Sequence, residues 1–594
     1  MKRPSSRLFS TLAPVFVLSL MMTGTTNATT EGQITDAVAP ELATGSVMRK
    51  SVKGTEWMVA SANPHASKAA EAILKSGGNA IDAMVTVQTV LGLVEPQSSG
   101  IGGGAFLVYW DNKAQALTTF DGRETAPMDA TPKLFLNENG EPLKFYDAVV
   151  GGRSVGTPGT LRLMHDTHAK YGNLSWRAVL TPAIELAQSG FEVSPRLAAL
   201  IEGDADRLRR YPATHQYFFD NNGHPLNIGD RLVNLEYAST LKMVAEDIDN
   251  FYQGPIADDI VATVQRAAGN PGVLSKDDLA NYRIIEREPV CAPYHQYRVC
   301  GMGPPTSGGI TVGQILGIVS HFPMKTLGKD NPESWRLLGD ASRLAFADRG
   351  RYIADADFVP VPTEGLLAPA YLKARAALIP EEGAMTDIAP GVPQFSHAKH
   401  TPPRADDQSI ELPSTSHFSI VDKAGNIVSI TTTIENGFGS RLMTRGFLLN
   451  NELTDFSFAT HKDGIPIANR VEPGKRPRSS MAPTIVMRDG KPYMAVGSPG
   501  GSRIIGYVAK TLVAHLDWGL DIQSAIDLPH LVNRFGTYDL EAGTDAESFK
   551  PALEQMGYKV NIRDLTSGIH GIVIDSGTLE GGADPRREGL VTAK

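Results

Sequence analysis

The stretch Pro413-Ser414-Thr415-Ser416-His417-Phe418-Ser419-Ile420-Val421-Asp422 decides how the rest of the chain is read. Upstream, residues 380–414 are rich in Pro, Ala, Gly and short polar residues and carry no helical or strand period, so they read as an exposed loop. Downstream, two alternating runs flank Lys423-Ala424-Gly425-Asn426, the signature of a hairpin. A hydroxyl residue where a loop enters a strand permits one particular chemistry. If the bond before Thr415 is cut, that residue carries a hydroxyl and a free α-amine together. An α-amine titrates at about pH 8, so near neutrality it can take the proton of its own hydroxyl, a recognised nucleophile–base pair. The plainer reading makes Thr415, Ser416 and Ser419 ordinary strand hydroxyls, and the tripeptide Thr-Ser-His does not decide between the two.

Other stretches weigh on the choice. Gly497-Ser498-Pro499-Gly500-Gly501-Ser502-Arg503 puts two glycines in a loop ahead of a helical run, Ile504 to Leu516. Glycine lets backbone approach a ligand closely, and backbone N–H groups are fixed dipoles suited to an oxyanion. No lysine follows, which argues against a phosphate loop. Arg123 follows a strand-like run, and arginine binds carboxylates bidentately. Glu435, Glu452 and Asp455 cluster in Thr433-Ile434-Glu435-Asn436 and Asn450-Asn451-Glu452-Leu453-Thr454-Asp455, and Ser479-Ser480 add hydroxyl donors.

On these residues the chain resembles the γ-glutamyltransferases (γ-glutamyl transpeptidases), a family of N-terminal-nucleophile hydrolases, from about Val59 to about Leu540. The resemblance rests on Gly497–Arg503, on Arg123-Glu124-Thr125-Ala126-Pro127, and on Pro304-Pro305-Thr306-Ser307-Gly308-Gly309, where Thr306 replaces a serine. The pattern alone supports only mixed α and β. The resemblance implies an α+β fold, a four-layer αββα sandwich whose two stacked, mostly antiparallel sheets are shared by two subunits. These would be a large subunit, residues 29–414, and a small one, residues 415–594, made by cleavage between Ser414 and Thr415. It further implies Thr415 as nucleophile, Thr433 as the threonine that tunes it, and Gly500 and Gly501 as the oxyanion site. Arg123, Ser479 and Ser480 would hold the substrate's α-carboxylate, and Glu435, Glu452 and Asp455 its ammonium. The implied partners are glutathione or other γ-glutamyl small molecules, with water, amino acids or dipeptides as acceptors, and no cofactor.

Two departures stand out. Glu435 replaces an Asn of other members, and Glu452 replaces a Gln of some. The stretch 456–478 is also shorter than the lid of long-lid members, which suggests an opener pocket. A glutaryl (cephalosporin-type) acylase of the same family is therefore the runner-up. A non-catalytic periplasmic amino-acid-binding protein is the reading from a different class.

Length and composition set outer limits. A chain of 594 residues needs a large or multi-part core. A net charge of −9, with no basic block, gives no reason to expect nucleic acid or an anionic membrane as partner. Lys2, Arg3 and Arg7 precede an apolar run, Leu8 to Met22, and small residues end at Ala28, so residues 1–28 read as a signal peptide. Export follows, to the periplasm in a Gram-negative source and otherwise to the medium. A retained anchor is the alternative. No later run is long enough to span a bilayer. The two cysteines, Cys291 and Cys300, flank a turn and would meet an oxidising compartment, so a disulfide is expected, with two free buried thiols as the alternative. Asp348, Asp355, Asp357 and Glu364 lack calcium-loop spacing, and no metal is expected.

Overall fold

The structure, a computed structural model, describes residues 1, 49–395, 403–407, 409 and 411–594. The expected signal peptide, Met1 apart, lies outside the described residues.

The strand Thr415–Val421 is buried along its whole length. Successive side chains of a strand point to opposite faces, and here each face meets a different layer. Phe418 and Ile420 pack into an apolar cluster with the helix Ala80–Val94. Val421 packs into a second cluster with Ile485, Ala495 and Ile572, which belong to another sheet. The alternation read from the sequence is thus that of a strand covered on both faces.

Two 7-stranded sheets form the centre. One runs in the order Leu590–Ala593, Met58–Ser61, Thr415–Val421, Ile427–Thr433, Gly104–Asp111, Ala116–Gly122, Ile285–Arg287. The other runs Val52–Gly54, Thr578–Ala583, His570–Asp575, Lys491–Gly497, Thr484–Arg488, Tyr297–Gly301, Val290–Tyr294. Every pairing within them is antiparallel. Each sheet takes strands from both sides of Thr415.

The sheets stack through apolar contacts and a few hydrogen bonds. Ser419 Oγ donates to His570 O (3.2 Å), and Thr484 N donates to Ser429 Oγ (3.1 Å). His417 lies between them beside Thr431 and Ser419, and burial together with nearby His570 pushes its pKa well below the usual value, so it stays neutral. Helices cover both outer faces, Ala80–Val94 and Trp176–Ser189 on one side, Gly308–Val319 and Ile504–Leu516 on the other. This is the expected four-layer sandwich. Asn79 caps Ala80–Val94 in a reciprocal arrangement with Asp82.

The reading of residues 380–414 as exposed holds only in part. Glu411, Leu412 and Ser414 are buried, because distant side chains described below hold the end of the segment inside the protein. Cys291 and Cys300 stand opposite each other on paired strands and are joined by a disulfide. Among the described residues, no helix is long and apolar enough to cross a membrane, and no group of His, Cys, Asp and Glu is arranged to hold a metal ion.

Candidate active site

Antiparallel pairing places Thr415 directly across from Thr433. The Thr433 hydroxyl then sits in a closed arrangement. It accepts from the Glu435 N–H (2.7 Å) and from the Thr415 hydroxyl (3.3 Å), and donates to the carbonyl oxygen of Ser414 (3.0 Å). A hydroxyl has one proton and two lone pairs, so all its capacity is used and its proton points at the Ser414 carbonyl. The peptide between Ser414 and Thr415 is held from further sides. Ser414 Oγ donates to Gln97 O (2.6 Å), and Arg587 Nη1 donates to Thr415 O (2.8 Å).

Side chains at odd positions of Thr415–Val421 face the other sheet, so Thr415 faces the loop that follows Lys491–Gly497. There Gly500 and Gly501 adopt φ of +136° and +56°. A Cβ on Gly501 would lie 2.4 Å from Glu411 O, so only glycine admits the segment that precedes Thr415.

Arg123 directly follows the strand Ala116–Gly122 and is completely buried. Its Nε donates to Pro477 O (3.1 Å), its Nη2 to Arg478 O (2.9 Å) and Asp455 Oδ2 (2.5 Å), and its Nη1 to Glu452. Burial alone would lower the guanidinium's pKa, but Glu452 and Asp455 raise it, and it stays charged. The carboxyls are pushed well above their usual range, each by burial first. Asp455 adds its charge to the effect on Glu435, whose Oε2 accepts from Asn451 Nδ2 (2.7 Å). Glu124, next to Arg123 in sequence and equally buried, is raised to about 8 by burial against the pull of Arg123.

One small cavity, with about 20 Å³ of free space, collects most of the residues singled out from sequence: Thr415, Thr433, Arg123, Glu435, Glu452, Asp455, Ser479, Ser480 and Gly501. Gly500 does not line it and packs instead against the ring of Tyr507. Cys291 and Cys300 belong to a separate hairpin. The cavity also takes Glu411, Leu412, Met481 and Ile504, which sequence reasoning did not select. Glu411 bonds to Arg349 and to Ser480 Oγ. The Pro304–Gly309 turn positions this corner: Ser307 Oγ donates to Ser479 O (2.7 Å) and Thr306 Oγ1 to Met481 O (2.7 Å). The one signal for Glu411 was its place as the last acid before Thr415, and for Arg349 its place in Ala347-Asp348-Arg349-Gly350.

The arrangement sets a hydroxyl beside a hydrogen-bonded carbonyl, two glycines with positive φ nearby, and a buried nest of one guanidinium and several carboxyls. The family model described as gamma-glutamyltranspeptidase matches residues 66–593. The chain is 39% identical over 552 residues to a glutathione hydrolase proenzyme of Bacillus subtilis (strain 168), covering 90% of this chain and 91% of that protein. It is 36% identical over 558 residues to a glutathione hydrolase proenzyme of Escherichia coli (strain K12), covering 91% and 92%. Among solved structures, a cephalosporin acylase from Bacillus halodurans superposes with a TM-score of 0.80 at 28% identity, covering 92% of this chain and 97% of that one.

Proposed function

The chain belongs to the γ-glutamyltranspeptidase family, and from that premise we propose that it is an exported, self-cleaving γ-glutamyltransferase and glutathione hydrolase with Thr415 as its nucleophile. Maturation begins when the Thr415 hydroxyl attacks the carbonyl carbon of Ser414. Thr433 donates to the carbonyl oxygen and so stabilises the charge that develops there. The tetrahedral species expels the Thr415 nitrogen, which takes up a proton, and an ester links Ser414 to the Thr415 oxygen. Water hydrolyses the ester. Residues up to 414 become the large subunit and residues from 415 the small one. The two remain together because both sheets draw strands from each.

The freed α-amine then serves as base for its own hydroxyl. Thr415 Oγ attacks the γ-carbonyl of the donor, and the N–H groups of Gly500 and Gly501 hold the oxyanion. The amine leaves with a proton, and the acyl-Thr415 passes to water or to the amine of an amino acid or dipeptide. No step draws on a cofactor.

The observation that carries this reading is the Thr433 hydroxyl set between the Thr415 hydroxyl and the Ser414 carbonyl. A non-catalytic binding protein has no use for that geometry. Between the two enzymatic readings, the acids decide. Glu435, Glu452 and Asp455 around Arg123 suit a donor that brings an ammonium. A glutaryl donor brings only a carboxylate, and leaves these buried acids without an ammonium to bond to. Comparing kcat/KM for γ-glutamyl and glutaryl anilides tests this. The reading expects preference for the γ-glutamyl donor, and a reversed preference would favour the acylase.

Residues 1–28 would direct export and be removed after Ala28, leaving the enzyme in the periplasm of a Gram-negative source or in the medium otherwise.

A further inference from the structure

Thr415 begins a strand that is paired on one side only at that end. Ile427–Thr433 runs beside it along its full length, whereas Met58–Ser61, on the other side, reaches only Ser419, Ile420 and Val421. Arg587 Nη1 donates to the Thr415 carbonyl oxygen (2.8 Å), so that carbonyl points away from Ile427–Thr433. The N–H and C=O of one strand residue point the same way, and the Thr415 nitrogen therefore faces the side of Arg587 as well. Thr415 and Thr433 then form the antiparallel pair without backbone hydrogen bonds, the kind in which side chains come closest. Their hydroxyls do meet, at 3.3 Å.

A cut before Thr415 changes which contacts still act on it. The bonds of Ser414 Oγ to Gln97 O and of the Thr433 hydroxyl to Ser414 O both hold the residue that the cut separates from Thr415. The bond from Arg587 goes to the far side of Thr415, and both of its partners lie in residues 415–594, so cleavage leaves it in place. A new chain end stays ordered only where it is tied down. Arg587 is itself fixed: it is buried, its Nε donates to Ser567 O (3.1 Å), and a Cβ on Gly568 would fall 2.8 Å from its Cδ. A second tie follows at once, where Ser416 Oγ donates to Glu95 Oε2 (3.1 Å) at the end of the helix Ala80–Val94.

We propose that Arg587 is a positioning residue for the mature nucleophile: it holds the Thr415 carbonyl so that the new chain end stays opposite Thr433, and its charge, on the side that the freed α-amine faces, favours the neutral, proton-accepting form of that amine. This rests on the function proposed above. A like charge nearby disfavours the charged form of a titrating group, so the amine titrates below the value of about 8 of a free terminus and acts as base at neutral pH and below. Three further charged residues act around Arg587. Burial pushes the Glu95 carboxyl up against the pull of Arg196 and Arg587, with Glu588 adding to the rise, which weakens Glu95 as a counter-charge. Asp584 is occupied by Arg586 (3.2 Å) and Ser567, and burial pushes His570 down to about 4, so it is neutral. On the cavity side, Arg123 stands among Glu411, Glu435, Glu452 and Asp455. That set is common to wild type and to the variants below, so it moves their pH profiles alike.

The test compares mature wild-type protein with Arg587→Met and Arg587→Lys, each shown to be cut by mass analysis, in turnover of a γ-glutamyl anilide across pH. The pH dependence of kcat reports groups in the substrate complex, which separates the amine from groups that act only on donor binding. Arg587→Met should lower kcat about tenfold or more, leave KM within about twofold of wild type, and move the acidic limb of kcat up by about one pH unit. Arg587→Lys keeps the charge, and should recover part of kcat and hold the limb at the wild-type pH. Wild-type kinetics in Arg587→Met, a rise in KM at unchanged kcat, or a limb that does not move overturns the proposal. Should Arg587→Met stay uncut, Arg587→Lys decides: a lowered kcat at unchanged KM and an unmoved limb uphold the proposal, whereas wild-type kcat or a raised KM overturns it. Wild-type protein that stays uncut or does not turn over the γ-glutamyl anilide overturns the parent reading instead, before any variant is compared.

Discussion

The Thr433 hydroxyl donates to the Ser414 carbonyl oxygen across 3.0 Å while accepting from the Thr415 hydroxyl at 3.3 Å. One side chain thus touches both the atom that would attack and the oxygen that would gain charge. Removing a single oxyanion donor typically costs about 10²–10³ in rate. Thr433→Ala should slow self-cleavage by about that factor, and Thr433→Ser, which keeps the hydroxyl, should stay within about tenfold of wild type. Timed gel analysis of freshly made precursor reads both rates.

Thr415→Ala should leave a single chain with no turnover, since it removes the attacking oxygen for maturation and for catalysis together. Thr415→Ser keeps that oxygen and should still cut. Its turnover reports how far the threonine methyl aids positioning. Mass analysis and a γ-glutamyl anilide assay on the same samples separate the two effects.

Glu435→Gln should weaken recognition of the donor ammonium. Hydrogen bonds to charged groups are worth about 1.5–3 kcal/mol, so kcat/KM for γ-glutamyl anilide should fall by about tenfold or more. The same change should leave glutaryl anilide unaffected, because that donor has no ammonium for Glu435 to meet. A parallel fall for both anilides would show that Glu435 serves the fold rather than ammonium binding.

The pH dependence of stability has a definite sign. Burial raises the carboxyl of Glu124 from 4.5 to about 8. Between those values the folded chain holds a proton that the unfolded chain has lost, so the group's contribution is fully present below about pH 4.5 and is lost as pH rises through about 8. One proton changes the slope by about 1.4 kcal/mol per pH unit. Glu124→Gln in the uncut Thr415→Ala background should therefore make unfolding free energy fall less steeply over that window, as read by denaturant titration at several pH values. An unchanged slope would mean that Glu124 is ionised in the folded protein.

The disulfide closes a short loop, Cys291 and Cys300 being separated by 9 positions. A loop of that size contributes about 2–3 kcal/mol through the unfolded chain. Replacing both cysteines by alanine in the same uncut background should cost about that much. The hairpin lies at the edge of its sheet and supplies no cavity residue, so the same replacement in the wild-type chain should leave turnover intact.

Much of this was legible in the sequence because it is local. The alternation around Phe418 and Ile420, the turn at Lys423–Asn426, the cap at Asn79 and the glycines at 500 and 501 each announce themselves within a few residues. Thr433 was matched to Thr415 through the family resemblance, and the hairpin that joins them brings the two together. Arg349 could not be matched to Glu411, since a contact across 62 positions leaves no spacing signature. For the same reason residues 380–414 read as exposed: their composition reports the lack of regular structure, whereas the burial of Glu411 and Ser414 is imposed by Arg349, Ser480 and Gln97 from elsewhere in the chain. The order of strands within the two sheets was equally out of reach, because long connections bring Met58–Ser61 and Leu590–Ala593 side by side.

The central claim is that the chain cuts itself before Thr415. Denaturing mass analysis of the purified protein, with N-terminal sequencing of each fragment, tests it most directly. The account requires two fragments, one of which begins Thr-Ser-His-Phe-Ser-Ile. A single uncut chain, or a cut at any other bond, would leave Thr415 without a free α-amine and contradict it.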